Sequence, residues 1–405
     1  MSFRLRKAPG SACRIRSAAD TVELLRSIRH HFGITRIAEV SGLDNLGIPI
    51  HSVFRPRSTS MSSVQSGKGI TVADSLASGL AEAIETDCAE RFSPADRIAG
   101  CYRDLRAAGH PVARFRSGLP GGRGIPDDLV LDWVWADDLL AAPGERRCRI
   151  PLELVAQGAR RDGWRLFDIR VSNGLASGNV LEEAICHAIE ELIERDAAGI
   201  FTFRTKYLEH DVRPSYRRIA LGSLPSSSAA LVARIRDSGR SVVLIDGTTD
   251  LGVAVVFCVI ESHLGPCLGC GASLDAEVAV TRALTEAAQS SAGSIQGARE
   301  DLASRDPRLF DHSQGFDTFR GRQLIRDRAH AERPFAALPS RHNDYVDQDL
   351  SDLLELLRRH GTEHVYCCEI ADPNLRDFAV ARVVIPGLED LRLDTIGARR
   401  LHHAL

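Results

Sequence analysis

Three helical segments of the 405-residue chain share one local pattern, and this pattern limits how the chain can fold. Each segment carries two polar side chains three residues apart, which places them one above the other on a single helix face. The three pairs are Glu82 with Glu85, Glu191 with Glu194, and Glu286 with Gln289. Small and apolar residues surround these pairs, so the pattern predicts three helices that are buried on most of their faces.

The acidic pairs need an explanation, because a carboxylate that is buried without a partner is strongly destabilising. One explanation is a bound divalent cation, since Mg²⁺ prefers hard oxygen ligands and converging carboxylates would supply them. A second explanation is ion pairs between these helices and the many arginines. A third is an ordinary solvated helix face. The spacing of the residues leaves all three open.

Helical and strand-like segments alternate along the chain without separating into blocks. Helices are predicted from the capping residue Ser17 to Gly33, over residues 71–92, and over about residues 275–290. Strands are predicted in SVVLID (241–246) and in LGVAVVFCVIES (251–262). This alternation predicts a mixed fold of the α/β or α+β class, with weak internal repetition of helix-on-sheet units.

The composition is that of an ordinary soluble globular protein, with 44% hydrophobic residues, 26% charged residues and a formal net charge of −3. Such a charge gives no electrostatic reason to bind nucleic acid or a membrane surface. No apolar run approaches the roughly 18 residues of a membrane span. The first 20 residues are basic and lack an apolar core, so they predict a disordered start and not a secretory signal. The ten cysteines form no regular framework, which favours reduced thiols in the cytoplasm.

Two loops beside the helical segments are candidates for binding phosphate. SGKG (66–69) offers backbone N–H groups and Lys68 just before the first of the three helices, although the spacing of a Walker A loop is absent. GARED (297–301) follows the third helix and provides Arg299. Each loop is a weak signal by itself.

Taken in order along the chain, these segments resemble the signatures of the YcaO family. SGKG with ADSLASGLAEAIE resembles the first signature, SNGLASGNVLEEAICHAIEELIERDA the second, and GASLDAEVAVTRALTEAAQ with GARED the third. VVIPGLED is similar to the C-terminal strand of the family. The resemblance implies a YcaO-type fold over residues 33–390, with an N-terminal extension and helix (1–32) before it and a short tail (391–405) after it.

The resemblance also implies an enzyme that uses ATP and Mg²⁺ to modify backbone amides of ribosomally synthesised peptides. In such enzymes a nucleophile adds to the amide carbonyl and ATP phosphorylates the resulting oxyanion, which converts a poor leaving group into a good one. By this resemblance five glutamates would ligate Mg²⁺: Glu82, Glu85, Glu191, Glu194 and Glu286. Seven further side chains would contact the nucleotide or its phosphates: Lys68, Ser75, Ser78, Asn173, Arg195, Gln289 and Arg299. No catalytic residue is assigned, and His187 is expected to serve the core or to support its neighbours.

Two departures from the family pattern bear on the reaction. Thr86 and Asp87 follow Glu85 where the family commonly has arginine and tyrosine, so an expected phosphate-contacting arginine is absent. No proline follows Pro386, whereas the azoline-forming branch of the family typically ends in a proline-rich tail. The missing arginine bears on the geometry of the nucleotide, and the missing proline-rich tail argues against an azoline product.

The leading expectation is a standalone enzyme that installs a backbone thioamide with an external sulfur donor and a TfuA-like partner protein. The alternatives are an azoline-forming cyclodehydratase that acts on Cys, Ser and Thr, and a non-catalytic accessory factor for methylthiolation of a ribosomal protein. A homodimer is expected only because soluble enzymes commonly form one.

Overall fold

The computed structural model describes most of the chain between residues 4 and 388. The described residues are 4–11, 13–59, 62–117, 119, 124–158, 166, 172–207, 216–261, 265–297 and 331–388. Arg299 and the tail predicted over residues 391–405 lie outside this part. No helix within it is long and apolar enough to cross a membrane.

Helices and strands alternate along the described chain, as the sequence predicts. The helices are α1 (Ala18–Ile28), α2 (Val72–Arg91), α3 (Tyr102–Ala107), α4 (Leu181–Tyr207), α5 (Ser226–Asp237), α6 (Ala276–Gln296) and α7 (Val346–Arg359). The strands are β1 (Arg36–Glu39), β2 (Ile50–Phe54), β3 (Val64–Lys68), β4 (Ile98–Gly100), β5 (Leu131–Asp138), β6 (Arg147–Pro151), β7 (Leu175–Gly178), β8 (Arg217–Ile219), β9 (Val242–Asp246), β10 (Ala254–Ile260), β11 (Cys267–Ser273), β12 (Glu332–Arg333), β13 (Tyr366–Glu369) and β14 (Ala379–Val384).

The strands assemble into three sheets in the part of the chain that the structure describes. One sheet has the order β1-β2-β3, and a second has the order β11-β10-β9-β8-β12. The third has the order β4-β5-β13-β14-β7, with β6 paired to β5. The β8–β12 pair is parallel, and all the other named pairs are antiparallel. This mixture of helices and sheets confirms the predicted fold class.

Each helix that carries a polar pair packs against a different sheet. Helix α2 lies on β2 and β3, α4 lies on β7 and β14, and α6 lies on β10 and β11. Apolar residues of α4 such as Ile189 and Ile193 are fully buried, as are Ala283 and Leu284 of α6. Burial of these faces confirms the prediction of largely enclosed helices. An internal repeat of the whole helix-on-sheet unit stays a prediction.

Glycines on two strands let the helices approach closely. A Cβ atom at Gly67 of β3 would lie 2.0 Å from the carbonyl oxygen of Ser75 in α2. A Cβ atom at Gly269 of β11 would lie 2.1 Å from the carbonyl oxygen of Ala283 in α6. Only glycine allows a backbone to come this near, so these positions set the distance between helix and sheet.

The N-terminal segment corrects one expectation from the sequence. The amide of Leu5 donates a hydrogen bond to Asp347 at 3.1 Å, and the amide of Ile15 donates one to Glu183 at 2.5 Å. Arg6 also forms an isolated β-bridge with Tyr345. The prediction of a disordered start is therefore wrong for residues 4–11 and 13–17, because long-range hydrogen bonds hold them on α4 and α7. The predicted boundary at residue 32 stays a prediction.

Candidate functional site

Helix α4 brings together the two glutamates of the second polar pair and the arginine that follows them. The guanidinium of Arg195 lies 3.3 Å from the carboxylate of Glu194 and 3.8 Å from that of Glu191. Glu194 is buried, and Glu191 is partly buried. One arginine therefore faces two acids on the same helix, so its charge cannot neutralise both of them.

The loop before β7 holds Glu191 from the other side. The amide of Gly174 donates a hydrogen bond to the Glu191 carboxylate at 3.0 Å. Gly174 has φ of 77°, and a Cβ atom there would lie 2.4 Å from the carbonyl oxygen of Val383. Glycine is the residue that this left-handed turn requires. The half-buried Asn173 directly precedes it and so lies close to Glu191.

Helix α6 meets strand β3 through the third polar pair. The ammonium group of Lys68 donates a hydrogen bond to the carboxylate of Glu286, and both side chains are about one quarter exposed. The side-chain amide of Gln289 donates to the carbonyl oxygen of Ser66. The SGKG loop is thereby attached to the helix that carries the third signature.

Helix α2 contributes the first polar pair. Glu85 is partly buried and accepts a hydrogen bond of 2.5 Å from the hydroxyl of Ser177 in β7. Glu82 lies one turn earlier on the same helix and is exposed. Glu85 is close enough to Glu82 and Glu191 for both carboxylates to raise its pKa. The first and second signatures therefore meet at Glu85.

The electrostatics of the cluster favour protons on several of its acids. Burial, reinforced by Glu82 and Glu191, raises the pKa of Glu85 to about 8 despite the hydrogen bond from Ser177. Burial also raises the pKa of Glu194 to about 7, with Arg195 opposing and Glu286 adding to the shift. Burial raises the pKa of Glu191 as well, although Arg195 opposes it. More negative charge is collected here than the neighbouring cations neutralise.

Glu286 differs from the other acids of the cluster. Burial would raise its pKa, but Lys68 and Arg195 together outweigh that effect and lower it. The cluster therefore contains one carboxylate that stays ionised beside others that take up protons readily. This pattern follows from where Lys68 and Arg195 lie.

The residues present fit a divalent cation in their chemistry. All five predicted ligands carry carboxylate oxygens, the donors that Mg²⁺ prefers. Within the described residues, no group of three or more His, Cys, Asp or Glu side chains is arranged to hold a metal ion as the structure stands. Burial is the main cause of the raised pKa values of Glu85, Glu191 and Glu194, and the positive charge of the neighbouring cations does not offset it. A bound cation would supply further positive charge in place of protons.

Several of the seven predicted nucleotide contacts, among them Lys68, Arg195, Gln289 and Ser75, already have structural partners. Lys68 and Arg195 lie among the acids, and Gln289 is bonded to β3. The hydroxyl of Ser75 is fully buried; it donates to the carbonyl oxygen of Gly67 at 3.2 Å and lies 2.7 Å from Nδ1 of His51. Ser78 is half-buried on α2. The nucleotide roles of all seven residues, including Arg299, stay predictions.

Asp87 occupies a position where the family pattern has tyrosine, and its side chain is part of a buried ion-pair network. Its carboxylate lies 2.7 Å from Arg55 and 2.5 Å from Arg91. Thr86 donates its hydroxyl to the carbonyl oxygen of Glu82 at 2.8 Å. Asp87 therefore links α2 to Arg55 at the end of β2, and this contact lies away from the acids described above.

Sequence reasoning missed a second group of charged residues next to the site. Arg14 donates to the carbonyl oxygen of Ser177 at 3.0 Å and to Glu183 at 3.2 Å. Arg282 donates to Glu190 at 2.6 Å. Arg14 belongs to a segment without a recognisable motif, and no local pattern indicates that it reaches β7. The sequence alone does not show which acids of α4 pair with these two arginines and which are left for the predicted metal site.

His187 lies one turn before Glu191 on α4, and its surroundings keep it neutral. Burial lowers the pKa of His187 well below its ordinary value, and the positive charges of Arg282, Arg14 and Lys68 lower it further. Within the described residues, its buried Nδ1 has no hydrogen-bond partner. The expected supporting role for His187 stays a prediction.

Comparison with known proteins identifies the class to which this fold and acidic site belong. The sequence model described as YcaO cyclodehydratase, ATP- and Mg²⁺-binding, matches residues 66–389. The chain therefore belongs to the YcaO family. It is an ATP-dependent enzyme of the cyclodehydratase type, with ATP and Mg²⁺ as its cofactors.

Two relatives match nearly the whole chain. An uncharacterised protein of Methanothermobacter thermautotrophicus is 32% identical over 374 residues, which cover 89% of this chain and 91% of the relative. An uncharacterised protein in the tfuA 3′ region of Rhizobium leguminosarum bv. trifolii is 32% identical over 397 residues, which cover 92% of this chain and 87% of the relative.

Solved structures of low sequence identity share the fold. The structure of YcaO from Methanopyrus kandleri bound with AMPPCP and Mg²⁺ has a TM-score of 0.70 and 21% identity, over 95% of both chains. A heterocyclase in complex with substrate and cofactor has a TM-score of 0.71 and 20% identity. The match covers 96% of this chain but 54% of the heterocyclase, so this chain spans about half of that protein.

Proposed function

We propose that this enzyme uses ATP and Mg²⁺ to convert a backbone amide of a ribosomally synthesised peptide into a thioamide, with sulfur from an external donor. The observation that carries the ATP-dependent part is the meeting of Glu191, Glu194 and Glu286 around Lys68 and Arg195, with Glu85 close to Glu191. Three of these carboxylates have raised pKa values, and two cations stand among them. This arrangement supports a site for a metal ion and a polyphosphate together.

The residues divide into two roles in this proposal. Glu82, Glu85, Glu191, Glu194 and Glu286 would hold Mg²⁺, which when bound neutralises phosphate charge and favours attack on the γ-phosphoryl group. Seven other residues would contact the nucleotide: Lys68, Ser75, Ser78, Asn173, Arg195, Gln289 and Arg299. Lys68 and Arg195 would orient the phosphates through charge-assisted hydrogen bonds.

The chemistry explains why ATP is needed. The oxygen of an amide is a very poor leaving group, and transfer of the γ-phosphoryl group of ATP to that oxygen makes it a good one. The nucleophile must add first, and the site must hold the resulting oxygen near the γ-phosphoryl group. Positioning supplies much of the rate enhancement in such transfers.

The metal-dependent part is tested by calorimetry of ATP binding with and without Mg²⁺. We expect the wild type to bind ATP only with Mg²⁺, and Glu191→Gln and Glu194→Gln to lose most of this binding at matched folding. Glu355→Gln is the control, because Glu355 is an exposed acid paired with Arg359 on α7. Unchanged binding in both active-site variants, or no binding in the wild type, would overturn the proposal.

The choice of product rests on the relative in the tfuA 3′ region. That location favours a thioamide-forming enzyme that works with a TfuA-like partner protein. The test is to combine the enzyme, its partner, ATP, Mg²⁺, a sulfide source and a candidate precursor peptide and to measure the mass of the peptide. Exchange of oxygen for sulfur supports the thioamide, and loss of one water supports an azoline instead.

Azoline formation is the second candidate, and the similarity to a heterocyclase fold favours it. Such an enzyme would close Cys, Ser or Thr side chains onto the preceding amide, and it would need no sulfur donor. A third candidate is an accessory factor for methylthiolation of a ribosomal protein. Such a factor would leave the mass of the precursor peptide unchanged in the same assay.

Size-exclusion chromatography with light scattering tests the proposed homodimer.

A further inference from the structure

Glu85 depends on one neighbouring side chain for its orientation. Its Oε1 accepts the 2.5 Å hydrogen bond from Ser177, and this is its one hydrogen-bond partner among the described residues. Glu85 belongs to α2, whereas Ser177 belongs to β7 of another sheet. The contact therefore sets the carboxylate of the first signature against the strand that lies within the second signature.

Ser177 is itself held rigidly. It is 2% exposed, and it pairs with Val380 in the antiparallel β7–β14 ladder. Its carbonyl oxygen accepts a hydrogen bond of 3.0 Å from Arg14 of the N-terminal segment. With its backbone fixed on both sides, its hydroxyl has little freedom except rotation about χ1. A donor on a rigid strand is well suited to orient a flexible glutamate.

We propose that Ser177 is a positioning residue that holds Glu85 in the orientation needed to bind Mg²⁺. This inference rests on the proposed function, in which Glu85 is a metal ligand. The hydroxyl occupies one lone pair of Oε1 and leaves Oε2 available to the ion. Loss of such an outer hydrogen bond to a metal ligand typically weakens metal affinity about 10- to 100-fold.

The experiment measures the Mg²⁺ concentration that gives half-maximal ATP binding in the full-length protein. Ser177→Ala should raise this concentration about tenfold or more, and saturating Mg²⁺ should restore ATP affinity to nearly the wild-type value. Ser177→Thr retains the hydroxyl on a strand and should restore most of the Mg²⁺ affinity. Ser228→Ala is the matched control, because Ser228 is equally buried but lies on α5.

A double-mutant cycle shows whether Ser177 acts through Glu85. Ser177→Ala should have almost no further effect on the Mg²⁺ requirement in a Glu85→Ala background. If Ser177→Ala does not fold, Ser177→Cys takes its place, since a thiol of similar size is a much weaker donor. A Mg²⁺ requirement equal to that of the wild type in the alanine or cysteine variant would overturn the inference. An equal loss of Mg²⁺ affinity in the alanine and threonine variants would also overturn the inference.

The same measurements separate this inference from the proposed function. If Glu191→Gln abolishes Mg²⁺-dependent binding and Ser177→Ala leaves it unchanged, only the positioning role fails. If the wild type shows no Mg²⁺-dependent ATP binding, the proposed function fails and the inference fails with it.

Discussion

The ammonium group of Lys68 donates a hydrogen bond to the carboxylate of Glu286, and this contact joins β3 to α6 across 218 residues of sequence. It helps to keep Glu286 ionised while burial favours protons on Glu85 and Glu194. The site thus combines a fixed negative charge with acids that exchange protons near neutral pH. Two properties of this cluster can be measured separately, namely its proposed binding of a cation and its response to pH.

Replacement of Lys68 by methionine should weaken ATP binding at saturating Mg²⁺ about tenfold, or about 1.4 kcal/mol. The physical reason is loss of the charge that neutralises Glu286 and that, in the proposed function, would meet phosphate oxygens. Calorimetry provides the measurement. Lys7→Met is the control, because Lys7 forms a similarly paired contact of 2.7 Å with Asp349 on α7. An equal loss of affinity in both variants would contradict a specific role for Lys68.

Affinity for Mg²⁺ should increase as the pH rises from about 6 to about 9. Glu194 and Glu85 have raised pKa values of about 7 and about 8, so Mg²⁺ competes with protons over this range. Binding should release protons, and calorimetry in buffers of different ionisation enthalpy counts them. Glu85→Gln should release fewer protons. A proton count of zero at pH 7 would show that these acids are not displaced by the metal.

Glu85→Gln should stabilise the metal-free protein by about 1–3 kcal/mol at pH 8.5. The folded-state pKa of about 8 exceeds the ordinary value of 4.5. The folded protein therefore retains a proton that the unfolded chain has lost, and stability falls as the pH rises from about 4.5 to about 8. Glutamine has no such cost and still accepts the Ser177 hydrogen bond. Urea unfolding at pH 5 and 8.5 tests this, because the two proteins should differ much less at pH 5.

Asp87→Ala should destabilise the protein by about 3 kcal/mol or more. The substitution leaves the buried Arg55 with one acidic partner fewer and removes a partner of Arg91. The measurement is the free energy of unfolding in urea, with ATP binding of the folded variant measured in parallel. Asp137→Ala removes an exposed ion pair to Arg147 and should cost less than about 1 kcal/mol. Loss of ATP binding in well-folded Asp87→Ala protein would place Asp87 at the nucleotide site.

Gly67→Ala should destabilise the protein by about 2 kcal/mol or more, because the added methyl group meets backbone atoms of α2 that cannot turn away. The contact at 2.0 Å requires β3 to move away from the helix. Thermal unfolding is the measurement. Gly222→Ala is the control, since a Cβ atom there meets nothing within 4 Å. Similar stability of the two variants would show that the close approach of β3 and α2 is dispensable.

Local patterns predicted the long helices well. The helix predicted over residues 71–92 is α2 (Val72–Arg91). Thr71 and Asp74, which lie three residues apart in the sequence, form its capping box. The helix predicted over residues 275–290 continues to Gln296, because nothing stops it before Gly297 adopts a left-handed conformation. The ordered N-terminal segment was not predictable in this way, since its hydrogen bonds reach residues more than 160 positions away.

The spacing of the acidic residues along the helices is compatible with a metal site, with ion pairs and with a solvated face. Contacts between distant segments show which partner each acid has. Glu190 is bonded to Arg282, and Glu183 is bonded to Arg14 and to the amide of Ile15. Glu191 lies beside Glu190 in the sequence, yet it faces Arg195 and Gly174 instead. A helix turns by about 100° per residue, so adjacent acids necessarily meet different neighbours.

The sequence by itself determined the class of fold, the faces of the helices and the residue types available for ATP and Mg²⁺. These follow from periodicity, capping and glycine positions, which act over a few residues. Only the tertiary structure decided that Ser177 donates a hydrogen bond to Glu85, that Lys68 pairs with Glu286 and that Arg14 reaches β7. Those contacts join segments 92 to 218 positions apart. Their geometry depends on how three sheets pack against three helices, and no local pattern encodes that packing.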